Sequence, residues 1–125
     1  MLLKSKSHIF VPDKVAYACE SVRTNAEVLA DLCHNLNYQH VLIKASDKQG
    51  RAIYHTNVFM SITTKLAVIC LDALDQHDRS RIVERMEESG RKIVDISHEQ
   101  VENFAGNCYE VVGEDGRRKL IISTR

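Results

Sequence analysis

The chain repeats itself, and the repeat limits what it can fold into more than any other feature. "VAYAC" at 15–19 is answered by "LAVIC" at 66–70, so that Cys19 and Cys70 stand 51 residues apart. "LIKAS" at 42–46 is answered by "IVDIS" at 93–97 at the same spacing, and Ser-x-x-Gln follows in both places, Ser46 to Gln49 and Ser97 to Gln100. "YHTNVF" at 54–59 aligns with "FAGNCY" at 104–109 at a spacing of 50, which puts Asn57 and Asn107 on one repeat position. Self-similarity at such a period marks a structural unit used more than once.

Each unit reads as strand, strand, helix, strand. "KVAYAC" and "KLAVIC" are nearly continuously apolar, as strands buried on both faces are. In the first unit Thr24-x-x-Glu27 has the form of a capping box and predicts a helix over about 24–36. Val28, Leu29, Leu32, Cys33 and Leu36 give that helix one apolar stripe. The second helix is expected over about 76–89, starting near Asp75, carrying Ile82, Val83 and Met86 on one side and stopping at Gly90. The charged run "HDRSRIVERMEESGRK" reads as its solvated face. "HVLIKA" and "RKIVDI" supply the closing strands, and "NCYEVVGEDGRRKLIIS" reads as a hairpin around Glu114-Asp115-Gly116.

The expected organisation is one α/β domain over 1–125, with units at about 8–50 and 57–105 and a hairpin at 107–123. That hairpin looks like the first two strands of a third unit without its helix. Apolar surface left uncovered in this way predicts either a fragment or a short form that needs a partner, with a homo-oligomer as the expected assembly.

Composition narrows the function. At 44% apolar residues and one proline, Pro12, the chain is globular. Seventeen basic residues balance seventeen acidic ones, which argues against nucleic acid as the main partner. The closest approach to a basic cluster, Arg117-Arg118-Lys119, flanks the hairpin turn. No run approaches the ~20 apolar residues of a membrane span, and "MLLKSKS" is too short for a signal peptide. Cys19, Cys33, Cys70 and Cys108 show no close pairing, so they are expected to be reduced thiols in the cytoplasm. His8, His40, His77 and His98 show no metal-ligand spacing, and neither a metal nor another cofactor is expected. Cys33-His34 reads as a pair of helix neighbours pointing different ways.

The remaining polar feature is His55-Thr56-Asn57, set between a tyrosine and a long apolar run. On its own His55 reads as a strand-end histidine bonded to backbone, and Asn57 and Asn107 read as turn residues. Gly106 is expected to supply a backbone conformation closed to other residues.

Taken with their neighbours, "YHTNVFMSI", "AVICLDAL", "ISHEQVENFAGNCYEV", "LIIST" and "VAYACESVRTNAEVL" resemble the citrulline-utilisation hydrolases of the arginine deiminase/amidinotransferase superfamily. The resemblance runs over nearly the whole chain. It implies a partial five-bladed α/β propeller (pentein-like) of about two and a half units. It also implies a mechanism in which a cysteine attacks a guanidino or ureido carbon and a histidine moves the protons. His55 matches the catalytic histidine. Asn57 matches a substrate-contacting position that is often aspartate elsewhere in the superfamily, and Asn107 is a second candidate substrate-binding residue. An amide both donates and accepts, which suits a neutral urea, whereas a carboxylate suits a cationic guanidinium. The family's nucleophilic cysteine matches none of the four here, and the place of its glutamate reads Leu3-Lys4-Ser5-Lys6-Ser7. The expected function is therefore a portion of a hydrolase acting on a small ureido or guanidino substrate, carrying the histidine but inactive alone. Two rivals stand beside it: a non-catalytic binding or assembly module derived from the fold, and an independent thiol enzyme using Cys33 or Cys108.

Overall fold

A computed structural model describes residues 3–4, 8–11, 13–22 and 24–123, with side chains from Asp13 onward. The expected glutamate position at 3–7, Pro12 and Arg23 lie outside the described side chains.

The first sheet has four strands in the order β1 (Leu3–Lys4), β2 (His8–Val11), β3 (Val15–Cys19), β4 (Gln39–Ile43). The second has three, β5 (Met60–Ile62), β6 (Leu66–Ile69) and β7 (Lys92–Asp95). In both, an antiparallel pair is followed by a helix and then a parallel strand: α1 (Ala26–Leu36) carries the chain from β3 to β4, and α2 (Gln76–Glu88) from β6 to β7. A parallel partner cannot be reached by a tight turn, so a helix crossover is the natural link. The expected strand-strand-helix-strand order is thus present in both sheets. Beyond it, the short β1 pairs with β2, and a one-turn helix α3 (His98–Glu102) follows β7. The last segment is the expected hairpin, β8 (Tyr109–Val112) and β9 (Arg118–Ile121), turned through Gly116 at φ +74°.

The register refines the repeat. Val15 pairs with Gln39, and its equivalent Leu66 pairs with Lys92. The second strands are therefore 51 residues apart and the third strands 53, a slip of two that matches helices of 11 and 13 residues. The "LIKAS"/"IVDIS" match is out of step by that amount.

Three local expectations change. Asn25, not Thr24, caps α1: its side chain accepts from the Val28 amide at 3.0 Å, while Thr24 Oγ1 is buried with no partner among the described residues. The apolar stripe of α1 is split, with Leu29 and Cys33 buried but Val28, Leu32 and Leu36 exposed. The charged run of α2 is not wholly solvated. Asp78 is buried, accepting from the Lys44 amide at 2.8 Å and from Arg81 at 2.6 Å, and Arg91 is buried, donating to the Thr63 carbonyl at 2.7 Å and pairing with Asp13. The bonds from Lys44 to Asp78 and from Arg91 to Asp13 cross between the two units, and the bond to Thr63 locks a strand end, so charge is here a tie across sheets; a buried charge left without a partner would be costly. Asp75 caps α2 as expected, and Gly90 takes φ +77° just past its end.

The main core is shared by the two units. Tyr17, Val41 and Ile43 from the first meet Phe59, Met60, Ile62, Ile69, Ile82 and Met86 from the second. A small separate cluster joins Leu29 and Cys33 of α1 to Ala16 and Ala18 of β3. The hairpin is held to the turn after β5 by Glu110, which accepts from Thr64 Oγ1 at 2.6 Å and pairs with Arg118 of the hairpin's other strand at 3.0 Å. Burial works to raise the Glu110 carboxyl, but these bonds and the guanidinium charge bring it below its ordinary value.

Candidate functional site

The His-Thr-Asn segment is positioned by its central residue. Thr56 is fully buried, and its hydroxyl accepts the backbone N–H of Cys19 at 2.8 Å. The Cys19 thiol in turn donates to the Ile53 carbonyl at 2.8 Å. One residue at the end of β3 therefore grips this segment at two points. His55 is extended (φ −122°, ψ 126°) and the chain then tightens into a single 3₁₀ turn, Thr56–Val58. With Thr56 turned inward, His55 and Asn57 line a cleft of about 570 Å³.

The far wall of that cleft comes from the equivalent segment of the second unit. Gly106 makes the approach possible. A Cβ there would lie 2.5 Å from the Val58 carbonyl oxygen and 3.1 Å from Phe59 backbone. Gly106 is not in the left-handed region, which corrects the expectation of a special conformation; Phe104 is the residue with φ +67°. Ser61 Oγ donates to the Gly106 carbonyl at 2.5 Å and accepts from the Cys108 amide at 3.2 Å, fixing the segment. Asn107 reaches the cleft from there, so the structure brings His55, Asn57 and Asn107 to one cavity, all three half-buried. His55 Nδ1 is shielded from solvent and has no hydrogen-bond partner among the described residues.

Other lining residues were not legible as site residues. Ile53, Tyr54, Val58, Val101 and Phe104 make an apolar side. Asp47, Lys48 and Arg51 enter from the loop after β4, and His98 and Glu102 from α3. Asp47 accepts from the Gln49 and Arg51 amides and from Arg51 Nε, at 2.9, 2.9 and 2.8 Å, and these bonds hold its carboxyl below the usual carboxylate value. Nothing in the sequence marked this loop as facing His55.

No cysteine lines the cleft, and all four are buried and outside any disulfide. Burial pushes the Cys19 thiol up to about 11 and also raises Cys33 and Cys70. Cys33 is fully buried on the inner face of α1 and Cys108 is 2% exposed, so neither is placed as the nucleophile of an independent thiol enzyme. Among the described residues, no group of three or more His, Cys, Asp or Glu could hold a metal ion, and no helix is long and apolar enough to cross a membrane.

The fold has known counterparts. The N-terminal domain of ArgZ, an arginine dihydrolase of the ornithine-ammonia cycle in cyanobacteria, superposes with a TM-score of 0.65 at 18% identity when a cysteine-to-serine variant is bound to substrate; the match covers 83% of this chain and 37% of that one. An asparagine-to-serine variant of that domain, covalently bound to a reaction intermediate, gives 0.64 at 19% identity over 83% and 37%. Apo ArgZ gives 0.68 at 17% identity, over 85% of this chain and 16% of that one. This chain thus spans little more than a third of the ArgZ N-terminal domain. The α/β fold is that of the ArgZ N-terminal domain. No curated protein matches the sequence. The family model for eukaryotic N,N-dimethylarginine dimethylhydrolases matches residues 4–125, and the chain belongs to that family.

Proposed function

We propose that this chain is the histidine-bearing part of a C–N hydrolase that acts on the ureido or guanidino group of a citrulline- or arginine-like amino acid, within a five-bladed propeller whose remaining blades lie outside it. In this reading residues 1–125 form a single partial domain. His55 carries a proton to the leaving nitrogen and takes one from the incoming water, while Asn57 and Asn107 bond the substrate's polar end. The observation that carries the reading is the meeting of His55, Asn57 and Asn107 at one cleft in a chain of this family. A desolvated Nδ1 without a partner is what a proton-transfer group awaiting a ligand or a further residue presents. With no thiol in the cleft and burial holding three of the four up, the thiolate must be supplied from outside this chain. Four buried cysteines outside any disulfide favour a reducing, cytoplasmic setting.

Within the superfamily, the ureido branch (citrulline utilisation) is favoured by charge. Both carboxylates lining the cleft are already ion-paired, Asp47 with Arg51 and Glu102 with Lys48. The described residues therefore offer a guanidinium amides and a neutral surface, which fit a urea better. The second reading, a non-catalytic binding or assembly module, is supported by the same missing nucleophile.

The experiment is product release, ammonia from citrulline and arginine and dimethylamine from dimethylarginine, by the 125-residue chain and by a longer one restoring a downstream cysteine. The chain alone should be inactive, since removing a catalytic nucleophile costs several orders of magnitude. The longer chain should turn over citrulline and lose that activity in His55→Ala. Turnover that survives His55→Ala would overturn the mechanism, and an inert longer chain that still binds citrulline would favour the module.

A further inference from the structure

α1, α2 and α3 end in the same way. The chain leaves each helix through a residue in the left-handed region, and the next residue donates its amide back to a carbonyl inside the helix: Tyr38 to Cys33 at 2.7 Å, Arg91 to Met86 at 2.9 Å, Ala105 to Gln100 at 2.9 Å. The left-handed residue is Asn37 after α1 (φ +58°), Gly90 after α2 (φ +77°) and Phe104 after α3 (φ +67°). Asparagine and glycine are what such a position ordinarily takes. A phenylalanine there is a steric outlier, because its Cβ crowds the backbone, and glycine would hold the same turn without that strain. The ring does not fill the core either, since Phe104 is half exposed. A strained residue that neither its turn nor the core requires points to a use for its side chain.

The repeat gives Phe104 a counterpart. Tyr54 and Phe104 stand 50 residues apart at one repeat position, each three residues before its unit's asparagine, Asn57 or Asn107. Both line the cleft, and Tyr54 is half exposed as well. Each unit thus delivers one aromatic side chain and one amide to the same cavity. We infer that Phe104 and Tyr54 are a specificity-determining pair: their rings pack on the methylene chain of the ligand and favour its length. This rests on the proposed function and concerns the part of the ligand between its ureido end and its α-carbon. A ureido amino acid is polar at both ends and apolar between them. His55, Asn57 and Asn107 suit the ureido end, and the hydrocarbon beyond it needs apolar surface to leave water. Two rings offer that surface as broad faces, continued by Ile53, Val58 and Val101. The backbone that carries the Phe104 ring is tied on both sides, its N–H donating to the Val101 carbonyl at 2.9 Å and its carbonyl accepting from Asn107 at 3.1 Å. The second of these bonds fixes the ring's place relative to the amide of the same unit.

The test is calorimetric titration of the 125-residue chain with three ureido amino acids that differ only in chain length: 2-amino-3-ureidopropanoate, 2-amino-4-ureidobutanoate and L-citrulline, with one, two and three methylenes. Each added methylene should tighten binding about fourfold, the gain for burying one such group. In Phe104→Gly, and separately in Tyr54→Ala, each step should fall to about twofold, because half of the aromatic surface is gone. Glycine adopts the left-handed turn without strain, so the melting temperature of Phe104→Gly should be unchanged or raised. If the steps stay fourfold in either variant, or if a variant weakens all three ligands equally, the pair is overturned while the ureido reading stands. If none of the three binds the unaltered chain, the ureido reading falls and the pair with it.

Discussion

The two units share one topology but use their helices in opposite ways. α1 is the more apolar helix, yet only Leu29 and Cys33 are buried, and they form a cluster apart from the main core. α2 is mostly charged, yet Ile82 and Met86 are fully buried in the centre of the shared core, and Asp78 is buried beside them. Apolar content thus says little about which helix carries the fold. What matters is which side chains reach the space between the sheets, and the second unit holds most of that space through Phe59, Met60, Ile62 and Ile69. The first unit contributes the faces of β3 and β4 and leaves Val28, Leu32 and Leu36 uncovered.

Truncation on the two helices should break this comparison if it is wrong. Ile82→Ala or Met86→Ala should cost about 2–5 kcal/mol of stability, as loss of a fully buried side chain does. Leu32→Ala should cost under about 1 kcal/mol, because its side chain is 42% exposed. Denaturant melts of the three variants measure the contrast. Equal losses would mean that the α1 face is covered in the protein as it stands in solution, and would point to self-association.

A smaller effect sharpens the same comparison at the helix starts. Asn25→Ala and Asp75→Ala should each cost about 1 kcal/mol, since each side chain satisfies an amide of the first turn. Thr24→Ala should be close to neutral, because its hydroxyl is buried without a partner among the described residues. The same melts decide it. A loss at Thr24 matching that at Asn25 would restore the capping box that Thr24-x-x-Glu27 suggested.

These cases also show how far the sequence could be read. The order of elements was legible because the 51-residue repeat and the apolar runs of β3 and β6 are local patterns. The cap at Asn25 was not, because Thr24 and Asn25 are both good caps and the choice is made by the bridge between Ser21 and Thr24. The burial of Asp78 and Arg91 was hidden for a similar reason: their partners, Lys44 and Asp13, lie 34 and 78 residues away. At the site, His55, Asn57 and Asn107 could be named from the repeat and the resemblance. That Thr56 orients the first two was invisible, since its bond runs to a backbone amide 37 residues back. The same holds for Gly106, whose need is the passage of the Val58–Phe59 backbone and not its own φ. The pairing of Lys48 with Glu102 was hidden as well, because only the fold sets them face to face.

The central claim is that the cleft joining the two units at His55, Asn57 and Asn107 is the ligand site. Two-dimensional NMR of the 125-residue chain titrated with citrulline tests it most directly. The account predicts that the His55 imidazole signals and the side-chain amide signals of Asn57 and Asn107 shift together along one binding curve, while the methyl signals of Leu32 on the uncovered face of α1 stay in place. Shifts confined to α1, or movement of none of the three cleft residues at saturating citrulline, would contradict it.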